Sequence, residues 1–232
     1  STSRRQRQMC IRDSGKQTGL MMGRRLDAHA LCRTDGKVFY KNALPNEIPQ
    51  MSVGLLLDES GSMCSCDRCT YARSSAIILY DFCKALHIPV TVYGHSTSGS
   101  SVELYSYAEF ESIDNDDKYR MMDIAARGSN RDGAALRFVA EQLVKRPEEV
   151  KILILVSDGQ PAAPGYYGSA AEEDLRGIKQ EYRRKGVLFI AAAIGEDKQN
   201  IERIYGDSFM DITDLNQLPV KLTAAVKRHM RV

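Results

Sequence analysis

Residues Val53 to Met63 read Val-Gly-Leu-Leu-Leu-Asp-Glu-Ser-Gly-Ser-Met, and this stretch decides the fold. It is a short apolar run that ends at Asp58 and two serines. An apolar run of this length, bounded by a glycine-containing turn, is typical of a strand that is buried on both faces. We therefore expect a strand over residues 53–57 whose carboxyl end carries Asp58.

A second segment has the same design, because the apolar run of residues 150–156 is followed by Ser157 and Asp158. In an open parallel sheet the ligand crevice lies beyond the carboxyl ends of the strands, between the first and fourth strands of the six-stranded order. Neighbouring strands lie about 4.8 Å apart. If the two runs are these strands, Asp58 and Asp158 can reach one common ion.

The residue types at these strand ends indicate which ion would bind. Carboxylates and hydroxyls are hard oxygen donors, which select magnesium, calcium or manganese over zinc or copper. A compact site that keeps waters in its shell favours Mg²⁺, with Mn²⁺ and Ca²⁺ as alternatives. Helix caps and turns use the same residue types, but two strands that both end in an acid favour a cation site.

The pattern Asp58-x-Ser60-x-Ser62, together with a later strand that ends in Ser-Asp-Gly, resembles the metal-ion-dependent adhesion site of von Willebrand factor A domains. Residues 128–136 are similar to the second loop of that family, with a serine where threonine is usual. The resemblance covers residues 50–232 and implies an α/β fold: a Rossmann-like, doubly wound, mostly parallel sheet with helices on both faces. It implies that a partner's Asp or Glu completes the metal shell. The implied metal ligands are Asp58, Ser60, Ser62, Ser129 and Asp158.

Three short sequence motifs indicate a particular subgroup of A domains. Gly23-Arg24-Arg25-Leu26-Asp27, Val38-Phe39 and Asn130-Arg131-Asp132-Gly133 resemble the carboxyl-terminal A domain of cobaltochelatase T-type subunits and nitric-oxide-reductase activation proteins. Such a resemblance implies a subunit that couples a ring-forming AAA-type ATPase to a metal-inserting or cofactor-loading enzyme. Nucleotide hydrolysis would be the partner's task, and the sequence agrees because it has neither a G-x-x-x-x-G-K-[ST] nor a G-x-G-x-x-G phosphate loop.

The alternative function is a magnesium-dependent phosphatase with Asp58 as its nucleophile. Such chemistry commonly uses a second acid two residues further on to protonate the leaving group. Ser60 occupies that position. The sequence therefore favours a binding module without catalysis of its own.

Several residues around the expected site have two interpretations each. Glu59, between the ligands, is expected to face solvent or to tune the charge of the site. Arg131 either pairs with Asp132 or lies exposed at the rim, where it would meet an acidic partner. Tyr166 and Tyr167 are either rim anchors, since interfaces are enriched in tyrosine, or ordinary loop packing.

Three thiols, Cys64, Cys66 and Cys69, follow the expected metal loop at the opening of a helix, where Cys66 and Cys69 would share a face. Zinc or an iron–sulfur cluster generally needs four ligands, often in C-x-x-C pairs. Because one such pair is present, we expect reduced, partly buried thiols, with a bound soft metal as the alternative. The four histidines are scattered, and His95 stands out because it follows a strand on the site's side of the sheet.

Length and composition limit the class of protein, its partners and its compartment. The chain has 232 residues, 43% of them apolar, and a net charge of +2. These values indicate a folded chain and argue against a nucleic-acid partner. The resemblance implies an A domain at residues 50–232, after a basic extension and lead-in segment at residues 1–49. The longest apolar run has eight residues, well below the roughly 18 that a membrane span needs. Because the cysteines do not form a spaced disulfide framework, we expect a reducing cytoplasm.

The extension at residues 1–23 is expected to be a solvated arm, or a docking arm for an acidic neighbour, and a helix is expected to begin near Leu26. The chain opens with Ser1 rather than Met, so we expect a piece of a longer protein. Strands alternate with helices along the rest of the chain, which predicts a parallel sheet. Further strands are predicted at 37–41, 90–93, 102–110, 187–194 and 208–212; helices at 71–86, 114–127, 132–145, 170–185, 199–205 and 215–230; and a loop at 160–169.

Overall fold

The computed structural model describes residues 16–20, 25–26, 39–42, 50–112, 116–158, 161–193 and 198–211. The chain divides into two compact units, Ser1–Gln50 and Met51–Val232. The helix predicted at 215–230 lies outside the described residues. In the described ranges, no helix is both long and apolar enough to cross a membrane.

The first unit contains a small antiparallel sheet. Its strands are β1 (Lys16–Leu20), β2 (Arg25–Leu26) and β3 (Phe39–Asn42), in the order β1-β3-β2. One prediction was wrong here, because a strand lies within the expected arm. Leu26 also belongs to a strand, and the rest of the helix expected to begin near it lies outside the described residues. Both segments pair with β3, and this pairing satisfies their backbone hydrogen-bonding groups. A local sequence pattern does not reveal such a pairing partner.

The second unit is built on a six-stranded sheet. The strands are β4 (Met51–Asp58), β5 (Val90–Ser98), β6 (Ser101–Ala108), β7 (Val150–Ser157), β10 (Val187–Ala193) and β11 (Phe209–Asp211), with a small hairpin of β8 (Ala162–Ala163) and β9 (Tyr166–Tyr167) after β7. The sheet order is β11-β10-β7-β4-β5-β6. Neighbours are parallel except β5 and β6, so the strand predicted at 102–110 is the antiparallel edge strand of the sheet.

Helices cover both faces of this sheet, which confirms the predicted α/β architecture. They are α1 (Arg68–Ala85), α2 (Asp117–Arg120), α3 (Asp132–Val144), α4 (Gly168–Arg184) and α5 (Lys198–Tyr205). The side chains of β4 alternate between two cores: Leu55 and Leu57 pack with α1, whereas Leu56 packs with α3, α4 and α5. Burial on both faces explains why β4 is a continuous apolar run.

The helix predicted over residues 114–127 is much shorter. It consists of α2 and a single 3-10 turn, Met121–Asp123. The chain leaves the helical conformation at Ile124, whose carbonyl oxygen accepts hydrogen bonds from the side chains of Arg73, at 2.6 Å, and Cys69, at 3.5 Å. Tertiary contacts to α1 therefore override the local pattern.

The strand order reverses at β4, and this position determines where a ligand can bind. The chain continues from β4 to β5 and β6 on one side of the sheet and returns to β7 on the other. Leu57 is paired with Val156 and Asp58 with His95. The carboxyl ends of β4, β5 and β7 thus meet at one edge, at the switch point where open α/β sheets bind ligands.

Two glycines provide a matched test of this packing. A Cβ at Gly54 would lie 2.8 Å from Val139 Cγ1 and 3.0 Å from Leu143 Cδ1, whereas a Cβ at Gly177, inside α4, meets no atom within 4 Å. We expect Gly54→Ala to lower the free energy of unfolding by about 1–3 kcal/mol through overpacking. Gly177→Ala should raise it by about 0.5–1 kcal/mol through helix propensity. Urea unfolding measures both, and shifts in the same direction would contradict this packing.

Candidate metal centre

Asp58 lies at the centre of the switch-point edge. Its side chain accepts three hydrogen bonds: from the backbone N–H of Ser60 to Oδ1, at 2.8 Å, and from Asn130 Nδ2 and Ser157 Oγ to Oδ2, at 2.7 and 2.9 Å. The residue is 1% exposed. Burial, and then the charge of Asp132, raise the pKa of Asp58, while His95 and the Ser60 hydrogen bonds oppose the rise.

The hydrogen bonds determine how Asp58 could hold an ion. Each carboxylate oxygen can accept about two hydrogen bonds. Oδ2 already accepts two, whereas Oδ1 accepts the bond from Ser60. Oδ1 therefore keeps an acceptor position for a cation or for water on a cation. Asn130 and Ser157 were not among the predicted site residues, although each is adjacent in sequence to one that was.

The first loop brings Ser60 and Ser62 to this edge. It continues into a 3-10 helix, Gly61–Asp67, and the two hydroxyl oxygens are 2.9 Å apart. Ser60 is buried and Ser62 is exposed. The N–H of Gly61 donates to the carbonyl oxygen of Gly128 at 2.7 Å, which ties the first loop to the second.

Asp158, directly after β7, is the second of the two predicted acidic ligands. Burial, and to a lesser extent the charge of Asp58, raise its pKa, while hydrogen bonds from Ser62 and Arg68 oppose the rise. Arg68 Nη1 lies 2.9 Å from Asp158 Oδ2. A cation at this edge would offset the charge of Asp58 that raises the pKa of Asp158.

The second loop positions Ser129 through its backbone. Ser129 and Thr97 exchange N–H···O bonds of 2.8 and 2.9 Å, which pins the loop to the end of β5. At Gly128 a Cβ would lie 2.4 Å from the carbonyl oxygen of Thr97, so this approach requires glycine. Ser129 itself is half-buried. The structure thus gathers the loops that carry all five predicted ligands.

Glu59 does not face solvent, and that expectation was wrong. Its side chain is 0% exposed and accepts hydrogen bonds from Tyr107 Oη at 2.6 Å and Arg127 Nε at 2.7 Å. The space for it exists because residue 94 is glycine: a Cβ there would lie 1.8 Å from Glu59 Oε1. A glycine inside a strand often marks such a close approach, and this was the signal available in the sequence.

His95 and Asp132 form a buried pair beneath the second loop, with Nε2 and Oδ1 3.2 Å apart. Burial opposes a charge on His95, but Asp132, helped by Asp58 and Glu59, outweighs it, so the pKa of His95 is raised. Asp132 therefore pairs with His95 and not with Arg131. His95 is a buried structural partner of the second loop, which the sequence pattern did not predict.

The three residues predicted at the rim, Arg131, Tyr166 and Tyr167, have different environments in the structure. Arg131 donates to the carbonyl oxygen of Pro164 at 2.7 Å and lies 5.6 Å from the ring centre of Tyr166. Tyr166 donates to Asp174 at 2.8 Å and is half-buried, in the β8–β9 hairpin that occupies part of the predicted loop. Tyr167 is 70% exposed. Of the two tyrosines, Tyr167 is the one that a partner can reach.

Cys66 belongs to the 3-10 helix and Cys69 to α1, which begins at Arg68, so the two residues do not lie on one α-helix as expected. Cys64 is exposed and Cys69 is half-buried. Within the described part of the chain, no three His, Cys, Asp or Glu side chains converge to hold a metal ion. A cation at the switch-point edge would therefore depend on serine hydroxyls in addition to Asp58 and Asp158.

Comparisons with known proteins agree with this fold. Residues 117–230 match the family model described as the cobalamin biosynthesis protein CobT VWA domain. A solved structure, the vWF domain of the type V pili tip protein Mfa5 from Porphyromonas gingivalis, superposes with a TM-score of 0.55 at 11% identity, covering 79% of this chain and 96% of that one. The second unit therefore has the fold of a von Willebrand factor A domain.

Two curated relatives are longer than this chain. The uncharacterised protein YojO of Bacillus subtilis is 25% identical over 206 residues, which cover 83% of this chain and 32% of YojO. Protein NorD of Brucella suis is 34% identical over 97 residues, which cover 40% of this chain and 15% of NorD. The chain therefore spans about a third or less of the length of these relatives.

The accessibility of the thiols can be tested directly. Burial raises the pKa of Cys83 to about 12, so the thiolate is scarce at pH 8 and Cys83 should resist iodoacetamide. Cys64 is exposed and should be alkylated at least about 100-fold faster under the same conditions, because the reagent can reach its sulfur. Peptide mass spectrometry measures both rates. Denatured protein is the control, and comparable native rates would contradict the burial of Cys83.

Proposed function

We propose that this A domain is a metal-dependent protein-binding module. In this proposal Asp58, Ser60, Ser62, Ser129 and Asp158 hold Mg²⁺, directly or through water. The donors are carboxylate and hydroxyl oxygens, which suit Mg²⁺ and also Mn²⁺ or Ca²⁺. An ion held by few direct carboxylates keeps a net positive charge and an exchangeable position, where a partner's Asp or Glu can bind.

One observation carries the proposal, namely the distribution of charge around Asp58. Three of the four acidic side chains near the site have a cationic partner: Glu59 has Arg127, Asp132 has His95 and Asp158 has Arg68. Among the described residues, Asp58 receives its hydrogen bonds from neutral donors. The negative charge that is not matched by an ion pair therefore lies where the proposed cation would bind.

The same contacts favour binding over catalysis. A phosphatase nucleophile must present a carboxylate oxygen to its substrate. Asp58 is 1% exposed and Oδ2 already accepts two hydrogen bonds, so the carboxylate is shielded from a group as large as a phosphate ester. Ser60, which stands where an acid–base residue would be expected, has its hydroxyl next to that of Ser62.

We further infer that the longer protein couples an AAA-type ATPase to a metal-inserting or cofactor-loading enzyme. The match to the CobT VWA domain and the similarity to NorD support this inference. The A domain would supply the contact, through its ion and a partner's acidic side chain, and the ATPase would hydrolyse the nucleotide.

The metal ligands can be tested by titration with Mn²⁺. We expect Asp158→Asn and Ser62→Ala each to weaken binding by at least about tenfold, because a contact to a charged group contributes roughly 1.5–3 kcal/mol. Ser65→Ala, an exposed serine in the same 3-10 helix, is the matched control and should bind as the wild type does. Calorimetry and electron paramagnetic resonance measure the affinity. Equal affinity in all four proteins would place the ion elsewhere.

The partner can be tested by capture from the source cell on immobilised protein. With Mg²⁺ present, we expect mass spectrometry to identify an AAA-type ATPase, with recovery falling about tenfold or more in chelator or with Ser62→Ala. Ser65→Ala should retain full capture. If recovery of the ATPase is insensitive to chelator and to Ser62→Ala, its interface with this domain does not include the ion.

A further inference from the structure

Arg68 occupies an unusual position for a cation. It is the first residue of α1, and the amino end of a helix carries partial positive charge, so this position normally favours an acid. A residue that breaks a local rule of this kind usually has its compensation elsewhere in the structure. For Arg68 that compensation comes from Asp158, which lies 90 residues further along the chain.

The contact between Arg68 and Asp158 is mostly shielded from water. The two side chains are 15% and 4% exposed, and Nη1 donates to Oδ2 at 2.9 Å. The pair lies beside Ser62, which also hydrogen-bonds Asp158. Both donors thus bind the carboxylate that the proposed cation requires, and the guanidinium neutralises it.

Other arginines near the loops bind different acceptors. Arg73, on the same helix, donates to the carbonyl oxygen of Ile124. Arg131 donates to the carbonyl oxygen of Pro164, and Arg127 pairs with Glu59. Of these four described arginines, Arg68 is the one that forms an ion pair with a proposed metal ligand.

We propose that Arg68 is a tethered counter-ion that competes with the divalent cation for Asp158. This inference rests on the metal site proposed above. Without metal, Arg68 neutralises Asp158 and limits its repulsion of Asp58. A divalent cation that binds Asp158 displaces the guanidinium towards solvent. The affinity of the site for the metal is therefore lower than it would be without Arg68.

The competition predicts opposite effects for ligand and counter-ion substitutions. Removing a ligand weakens metal binding, whereas Arg68→Gln should tighten binding of Mn²⁺ by about tenfold, since a positive charge next to the site is lost. Arg73→Gln removes the same charge from the same helix without touching a site carboxylate, so its affinity should stay within about twofold of the wild type. Arg68→Lys keeps the charge and should remain closer to the wild type than Arg68→Gln does.

A second measurement uses the wild-type protein and does not depend on the folding of a variant. Phenylglyoxal modifies accessible arginines, and peptide mass spectrometry locates the products. We expect modification of Arg68 to increase at least about threefold when saturating Mn²⁺ is added, because the guanidinium leaves its shielded contact. Arg73 is the internal control and should react equally with and without Mn²⁺.

The outcomes separate this inference from the proposed function. If the wild type binds Mn²⁺ through Asp158 but Arg68→Gln binds it equally or more weakly, the metal site stands and the competition is refuted. Unchanged reactivity of Arg68 at saturating Mn²⁺ also refutes it. If neither the wild type nor Arg68→Gln binds Mn²⁺, the metal site itself is refuted.

Discussion

The structure depends on the burial of one carboxylate, that of Asp58, at the carboxyl end of the central strand. An ionised carboxylate that leaves water without partners loses several kcal/mol of solvation free energy. Its three donors come from three separate segments: Ser60 from the first loop, Asn130 from the second and Ser157 from the end of β7. Each donor fixes its own segment, so the carboxylate that the loops stabilise also holds the loops together.

A second buried carboxylate, next to that of Asp58, connects the first loop to parts of the fold further from the site. Glu59 follows Asp58 directly, and its carboxylate binds Tyr107 on β6 and Arg127 before the second loop. The backbone repeats the connection, since the N–H of Arg127 donates to the carbonyl oxygen of Glu59 at 2.7 Å. The two consecutive acids therefore have different roles. Asp58 faces the proposed ion, and Glu59 holds the segment that leads into the second loop.

The sequence predicted the sheet well because strands buried on both faces are continuous apolar runs, as in β4, β7 and β10. It predicted the helix over residues 114–127 poorly, because the carbonyl oxygen of Ile124 is bound by side chains of α1, a contact that no local pattern contains. Asp58 and Asp158 could be chosen because they end strands. The donors Asn130 and Ser157 could not. Ser157 reaches Asp58 through the register that pairs Leu57 with Val156, and Asn130 through a loop that backbone hydrogen bonds hold to β5.

Much of the site also depends on residues that carry no chemistry of their own. Gly94 leaves the space that the Glu59 carboxylate occupies, and Gly128 lets the second loop approach the backbone of Thr97. A methyl group at either position would collide with Glu59 Oε1 or with a backbone oxygen. The five oxygen-bearing residues alone would therefore not specify the site. The position of the second loop, which carries Ser129, also depends on two close approaches that glycine permits, and a search for ligand residues by type cannot detect these approaches.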